Sequence, residues 1–247
     1  MDGDPTRGSG RRMVTVIGCV QADVVMSDVT DLPRPGGTLL ADQMTIRVGG
    51  AGANSALAFA EAGMPVRLIG CIGNDQLGKW MRERLAAPGL ADELIVVAGE
   101  TTGLTVALES PLRDRTFLTY LGVNARWGAS TIPDDALTCQ SLLLCDYFVA
   151  PALRGAAAAW LLATAQARGA RTFFDTTWDP DDFPAETREE VRELLPSVDV
   201  FLPNEVEVCA IADRPGDAAQ AATDLQAVSG GVDRRQAGSP RLSRRGA

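Results

Sequence analysis

Buried β-branched strands that alternate with alanine-rich helices, glycines and acidic or amide residues at the ends of those strands, and a block of short hairpin-like strands in mid-chain predict an α/β fold. The expected architecture is a mostly parallel sheet flanked by helices on both faces, with a small second sheet beside it. At 247 residues, 46% hydrophobic and 22% charged, the chain is long enough for one large domain with a substantial core. Its formal net charge of -9 argues against a nucleic-acid footprint or an anionic membrane surface, and a small-molecule partner fits better. Five cysteines without C-x-x-C spacing read mostly as small core residues, so a reducing cytoplasm is the expected location. With no histidine, Ser-His-Asp triads and His-ligated zinc are excluded.

Residues 1–12 have basic side chains but no apolar stretch after them, and are expected to be a disordered tail and not a signal peptide. Residues 13–17 form a β-branched run ending at Gly18, the first buried strand, with Asp23 shortly past its end. Pro33, Pro35, Gly36 and Gly37 mark a loop, and residues 41–48 have a strand's composition and feed a glycine turn. From Ala53, the small residues Ala56, Ala58, Ala60 and Ala62 make a low-bulk helix able to sit close to a sheet; Gly63 stops it as a left-handed C′ residue, with Pro65 just beyond. Residues 66–72 are the next buried strand, and 76–87 a helix with Leu77, Trp80, Met81 and Leu85 on one face. Between 94 and 127 the runs IVVAGE, GLTVALES and RTFLTYLG predict the small sheet. Alternation then resumes, with strands at 142–150, 171–175 and 198–202 and helices at 155–168, 187–195 and 204–212. Asp146 and Arg154 interrupt the apolar stretch 137–162, so no membrane span is expected. Ligands of such a sheet sit at the carboxyl ends of its strands, where Asp23, Asp175 and Asn204 fall.

Three motifs carry chemistry. In the stretch 47–75, Gly49, Gly50 and Gly52 let backbone approach a ligand closely, and Asn54 offers both donor and acceptor to a ligand's polar groups. A tight strand-to-helix turn is the plainer alternative. A dinucleotide-binding turn is another, but Ser55 stands at the third glycine position and the following strand runs into Cys71 and Ile72 without an acid to hold a ribose. Asp23, in the pattern G-x-x-x-x-D, is either a solvated loop acid or a ligand contact, its carboxylate being able to accept from two vicinal hydroxyls at once. Asn204 and Glu207, three apart at a helix start, are either an ordinary capping box or an amide and carboxylate that order a hydrated cation.

Taken together these motifs resemble those of the PfkB, or ribokinase-like, carbohydrate kinases, over about residues 14–228. The resemblance implies a ribokinase-like fold and ATP-dependent phosphorylation of a hydroxyl on a sugar or nucleoside, with Mg²⁺. It implies acceptor contacts from Asp23, Gly49, Gly50 and Asn54, and places Asn204 and Glu207 on the ATP-phosphate side, Glu207 acting on Mg²⁺ indirectly. It assigns segments at about 24–48 and 94–127 to a β lid that excludes water and offers an edge for a homodimer. Asp175 stands where family members often carry an Asp of varying role.

One family segment, D-T-x-G-A-G-D, has no match in these residues. In the family it forms the anion hole and supplies the general base. An incomplete α/β domain over 13–231 is therefore expected, its C-terminal portion missing, with no catalytic residue to assign and no activity. A non-catalytic sugar-binding or regulatory protein, and a nicotinamide-dependent oxidoreductase, are the alternatives. Residues 232–247 are a basic tail unlike the family. Codon degeneracy lets 233–239 be read one base later as T-V-V-K-L-G-A, so the tail is either a frameshift product or a natural basic tail on a shortened protein.

Overall fold

Strands that are apolar on both faces need helices on both sides, and the chain supplies them. The computed structural model describes residues 13–112 and 114–228. In chain order the first elements are β1 (Val14–Ile17), β2 (Gln21–Ser27), β3 (Gln43–Gly49), α1 (Ala51–Glu61), β4 (Val66–Ile69), β5 (Cys71–Gly73) and α2 (Gln76–Ala86). There follow β6 (Ile95–Val97), β7 (Gly103–Leu108), β8 (Thr116–Tyr120), β9 (Ser141–Leu144), α3 (Ala156–Ala167) and β10 (Arg171–Phe174). The last are α4 (Ala185–Leu194), β11 (Val200–Phe201), α5 (Glu205–Ala212) and α6 (Ala218–Gln226).

The main sheet is parallel throughout, in the order β11-β10-β9-β1-β4. Alternation sends Val14, Val16, Leu68 and Leu143 to one face, where they pack with Ala53 and Ala56 of α1 and Met81 and Leu85 of α2. Ile17, Ile69, Leu142 and Leu144 go to the other, against α3, α5 and α6 through Leu161, Ile211 and Leu225. Phe174 of β10 stacks on Phe201 of β11 with ring centroids 5.6 Å apart, tying the last pair of strands together.

A second sheet runs β3-β2-β7-β8. It grows straight out of the first, since β1 passes into β2 through residues 18–20, all buried. By register, Met44, Ile46, Val24, Met26, Val106 and Leu118 share one face, and Arg47, Asp23, Thr105 and Thr119 the other.

Several expectations change in detail. Asp23 lies within β2, paired in register with Arg47 and Thr105, and not in a loop past a strand. The run 66–72 is two strands, because Gly70 passes so close to Val20 that a Cβ there would stand 2.5 Å from its side chain, and the chain bends away. Beyond that bend β5 pairs with β6, so IVVAGE belongs to a separate two-stranded sheet and not to the lid. The predicted strand 142–150 stops at Leu144, two residues before Asp146 takes left-handed φ of 61°. The helix expected from Ala53 starts at Ala51, so Gly52 is helical. Helix α6 was not predicted; alanines and a Thr-Asp pair give it little periodic signal. The disordered tail predicted at 1–12 and the basic tail at 232–247 lie outside the described residues.

What lets α1 dock is the absence of side chains. A Cβ on Gly52 would stand 2.6 Å from the carbonyl carbon and 2.7 Å from the Cα of Gly18, both backbone atoms unable to swing aside. Gly52→Ala is therefore expected to destabilise the fold by about 1–3 kcal/mol, the usual cost of overpacking, read as a lower urea midpoint. An unchanged midpoint would show that α1 is free to shift.

Candidate functional site

At the β1–β2 junction, Gly18 and Cys19 turn beneath the start of α1. Gly50 is the residue before the helix, with φ of 86°, and a Cβ there would meet the Cys19 carbonyl oxygen at 2.3 Å. The Ala53 amide donates to that same oxygen at 3.2 Å. Gly49 ends β3 beneath Asp23: a Cβ on Gly49 would be 2.1 Å from the Asp23 carboxyl carbon, so the carboxylate lies directly over bare backbone. Asn54 is exposed on the first turn of α1. The structure thus gathers Asp23, Gly49, Gly50 and Asn54 at one place. Burial pushes the Asp23 carboxyl above its ordinary value, against the pull of the Gln21 amide and Arg47.

Sequence reasoning missed the residue that holds this place together. Asp146, only 3% exposed, accepts hydrogen bonds from the backbone amides of Cys19 (2.9 Å), Ala51 (3.1 Å) and Gly52 (2.8 Å). In the sequence it is merely a charge interrupting an apolar run. Its position after a buried strand was the one available signal. Because the Ala51 and Gly52 amides are already bonded, they are not free for a pyrophosphate, which counts against the dinucleotide reading.

Gln21 was also missed. Its Nε2 donates to Thr105 Oγ1 at 2.7 Å, which is paired at 3.0 Å with Thr119 Oγ1, while its Oε1 is buried without a partner. Asn124, fully buried, leaves Nδ2 unpartnered on the far side of Gly103, where a Cβ would be 2.6 Å from that nitrogen.

Further along the strand ends stand Asp175, Asn204 and Glu207. Asn204 Oδ1 accepts from the Val206 and Glu207 amides, both at 2.9 Å, and Glu207 Oε2 accepts from the Asn204 amide at 3.0 Å. This is a complete capping box, with a further Asn204 Nδ2 to Glu207 Oε1 bond of 2.6 Å. Asp175, partly buried at the end of β10, is pushed up to about 8, first by burial and then by the charges of Glu207 and Asp146. Next to it Thr176 is buried with no partner for its hydroxyl, and Thr177 has φ of 61°. Among the described residues no group of three or more acidic or thiol side chains is placed to hold a metal by itself. A groove of about 620 Å³, lined by Trp178, Phe183, Arg188, Val206 and Pro215, lies on the flank of α5. It includes none of Asp23, Gly49, Gly50 and Asn54, whose convergent chemistry marks a candidate site better than volume does.

The model of the family described as "pfkB family carbohydrate kinase" matches residues 11–233. A ribokinase of Haemophilus influenzae is 30% identical over 199 residues, covering 80% of this chain and 61% of that protein. An adenosine kinase of Schizophyllum commune is 27% identical over 231 residues, covering 89% and 64%. The chain therefore spans less than two thirds of the length of these relatives. The structure of Arabidopsis thaliana ribokinase complexed with ribose and ATP superposes with a TM-score of 0.69 at 23% identity, covering 90% of this chain and 70% of that one, a likeness of fold.

The raised carboxyl of Asp175 has a consequence for stability. Its folded value of about 8 exceeds the ordinary 3.8, so between those values the folded state holds a proton that the unfolded chain has released. Its contribution is present at low pH and is lost as pH rises through that window. Asp175→Asn removes this slope. Relative to the parent, the variant is expected to gain stability from pH 5 to pH 8, by at most about 4 kcal/mol at roughly 1.4 kcal/mol per pH unit. Parallel curves of Tm against pH for the two proteins would refute the assignment.

Proposed function

The chain belongs to the pfkB family of carbohydrate kinases, and from that premise we propose that it forms the acceptor half of an ATP-dependent kinase acting on a hydroxyl of a sugar or nucleoside. The observation that carries this is the Asp23 carboxylate lying over the bare backbone of Gly49, beside the start of α1. A carboxylate set against unshielded backbone suits a polyol: it accepts from adjacent hydroxyls while the ring rests on the glycines. Gly50 and Asn54 complete the contacts, and β2, β3, β7 and β8 cover them as a lid that keeps water from competing for the phosphoryl group.

Asn204, Glu207 and Asp175 stand on the nucleotide side. Their chemistry fits a hydrated Mg²⁺, which keeps several waters and is held by one or two carboxylates together with substrate phosphates, and not by an all-protein cage. Such an ion supplies charge neutralisation of the phosphates. Glu207, fixed by the Asn204 cap, would help hold such an ion through water, and Asp175, whose carboxyl feels the Glu207 charge, would contribute a second carboxylate.

The 247 residues hold no D-T-x-G-A-G-D segment. We assign no general base, and for this chain alone expect binding without turnover. All five cysteines are free thiols, four of them buried, which supports a cytoplasmic setting. The apolar lid face bearing Ile46 (51% exposed) and Leu118 (57% exposed) supports a homodimer through the lid.

Calorimetry with ribose and adenosine tests the acceptor site. Asp23→Ala is expected to weaken binding by about 10- to 100-fold, the range for hydrogen bonds to a charged group, while coupled ADP release stays at background. Equal affinity in the variant removes Asp23 from the site; sugar-dependent ADP release removes the claim of inactivity. For the dimer, Ile46→Glu is expected to give monomer by light scattering where the parent gives dimer. A parent that is monomeric throughout ends that proposal.

A further inference from the structure

The groove of about 620 Å³ on the flank of α5 lies outside the acceptor side, and the chemistry of its lining is one-sided. Trp178 is 47% exposed there and Val206 53%. Around them stand the carboxylates of Asp182, Glu205 and Asp213 against a single guanidinium, that of Arg188, which is already paired with Asp213 at 2.5 Å. Among the described residues Asp182 and Glu205 make no ion pair. Three carboxylates repel a phosphate or a carboxylate ligand. An aromatic ring rimmed by carboxylates suits a guanidinium, which stacks on the ring and donates from its edge.

The wall of the groove is built to stay in place. Asp182 and Phe183 both take left-handed φ, 59° and 55°, conformations that persist only when the surroundings hold them. Asp179, fully buried, does so: it accepts from the amides of Asp181 and Phe183 at 3.0 and 3.1 Å and from Thr187 Oγ1 at 2.9 Å. The Phe183 ring then meets Trp178 edge to face, with centroids 5.1 Å apart. An aromatic fixed in this way loses little freedom when a partner settles on it.

The chain itself supplies a cationic partner. Residues 232–247 carry five arginines and one acid. They follow α6, which packs on α5 and is tied through Asp224 to Arg214, next in sequence to the groove residues Pro215 and Gly216. Helix α6 is about 14 Å long, whereas the chain from 229 to 234 can span about 20 Å. Arg234 therefore reaches back to the groove from the far end of α6, and each later arginine has more length available. Tethering also gives these side chains a far higher effective concentration at the groove than a separate peptide would have.

We propose that residues 232–247 dock intramolecularly in the groove on α5, their arginines lying against Trp178 and between Asp182 and Glu205. The contact covers apolar surface beside the Asn204–Glu207 cap, and it holds whether or not the chain binds a sugar.

Acrylamide quenching of Trp178 fluorescence in the full chain tests this, the Trp178 share being taken by difference from Trp178→Phe. In a variant with Arg234, Arg235, Arg241, Arg244 and Arg245 all changed to serine, the quenching constant of Trp178 is expected to rise at least about twofold, because the ring loses its cover. The parent should show a similar rise between about 50 and about 500 mM salt, which screens the carboxylate contacts. A tail variant that quenches like the parent overturns the proposal, as does a parent indifferent to salt. Protection that persists on dilution from about 50 to about 1 μM belongs to the chain's own tail. Protection lost on dilution assigns the groove to the tail of a second copy and overturns the intramolecular contact. Should Trp178→Phe not fold, amide hydrogen exchange over residues 205–216 replaces the fluorescence: faster exchange in the tail variant is expected, and equal rates overturn the proposal.

Discussion

The contact between α1 and the β1–β2 junction is the constraint on which the other features rest. Two glycines, Gly18 and Gly52, face each other with no room for a single Cβ on Gly52, and one buried carboxylate, Asp146, takes up the backbone amides that this approach strips of water. An unsatisfied buried amide costs about 1–3 kcal/mol, so three of them without Asp146 represent a large share of a domain's net stability. Once the contact is made, much else is fixed. β3 must end at Gly49 to enter α1, β2 must leave β1 at Gln21, and Asp23 is carried over Gly49 by the register between them.

Strand ends elsewhere in the sheet show the same economy of means. Asp146, Asp175 and Glu207 follow three neighbouring parallel strands, and burial pushes each carboxyl above its ordinary value. The three differ in how they are compensated. Asp146 has three amides, Glu207 has the Asn204 cap, and Asp175 has only its neighbours' repulsion beyond a backbone bond from Thr177. The least compensated of the three is the one beside a strained Thr177 and an unpartnered Thr176 hydroxyl, a pattern of unspent polar capacity typical of a place that receives a ligand.

Much of this was legible in the residues alone, and the limits have physical causes. Alternation of β-branched runs with alanine-rich helices was enough for the parallel sheet, and G-x-x-x-x-D with the glycine stretch was enough to single out Asp23, Gly49, Gly50 and Asn54. Local pattern does not show long-range partners. Asp146 bonds an amide 127 residues away, so its role is invisible until the chain is folded. Gly70 breaks a strand because of Val20, fifty residues earlier in the chain, and β6 stays out of the β3-β2-β7-β8 sheet because β5, freed by that break, is its neighbour. Asn204 and Glu207 were read two ways, as a cap and as a ligand-ordering pair; the cap is formed, and it is also what would hold Glu207 still for the second role.

The passage from β1 to β2 through three buried residues makes the second sheet a cantilever. Its root is clamped in the core, where Gln21 and Ala22 are buried, whereas residues 30–43 at its far end are exposed throughout. A beam held in this way would flex along its length and not swing on a hinge, with deflection growing toward the tip. Asp23 and Gly49, near the root, would hardly move as the tip flexes, so the outer half of the sheet could adapt while these two groups keep their spacing.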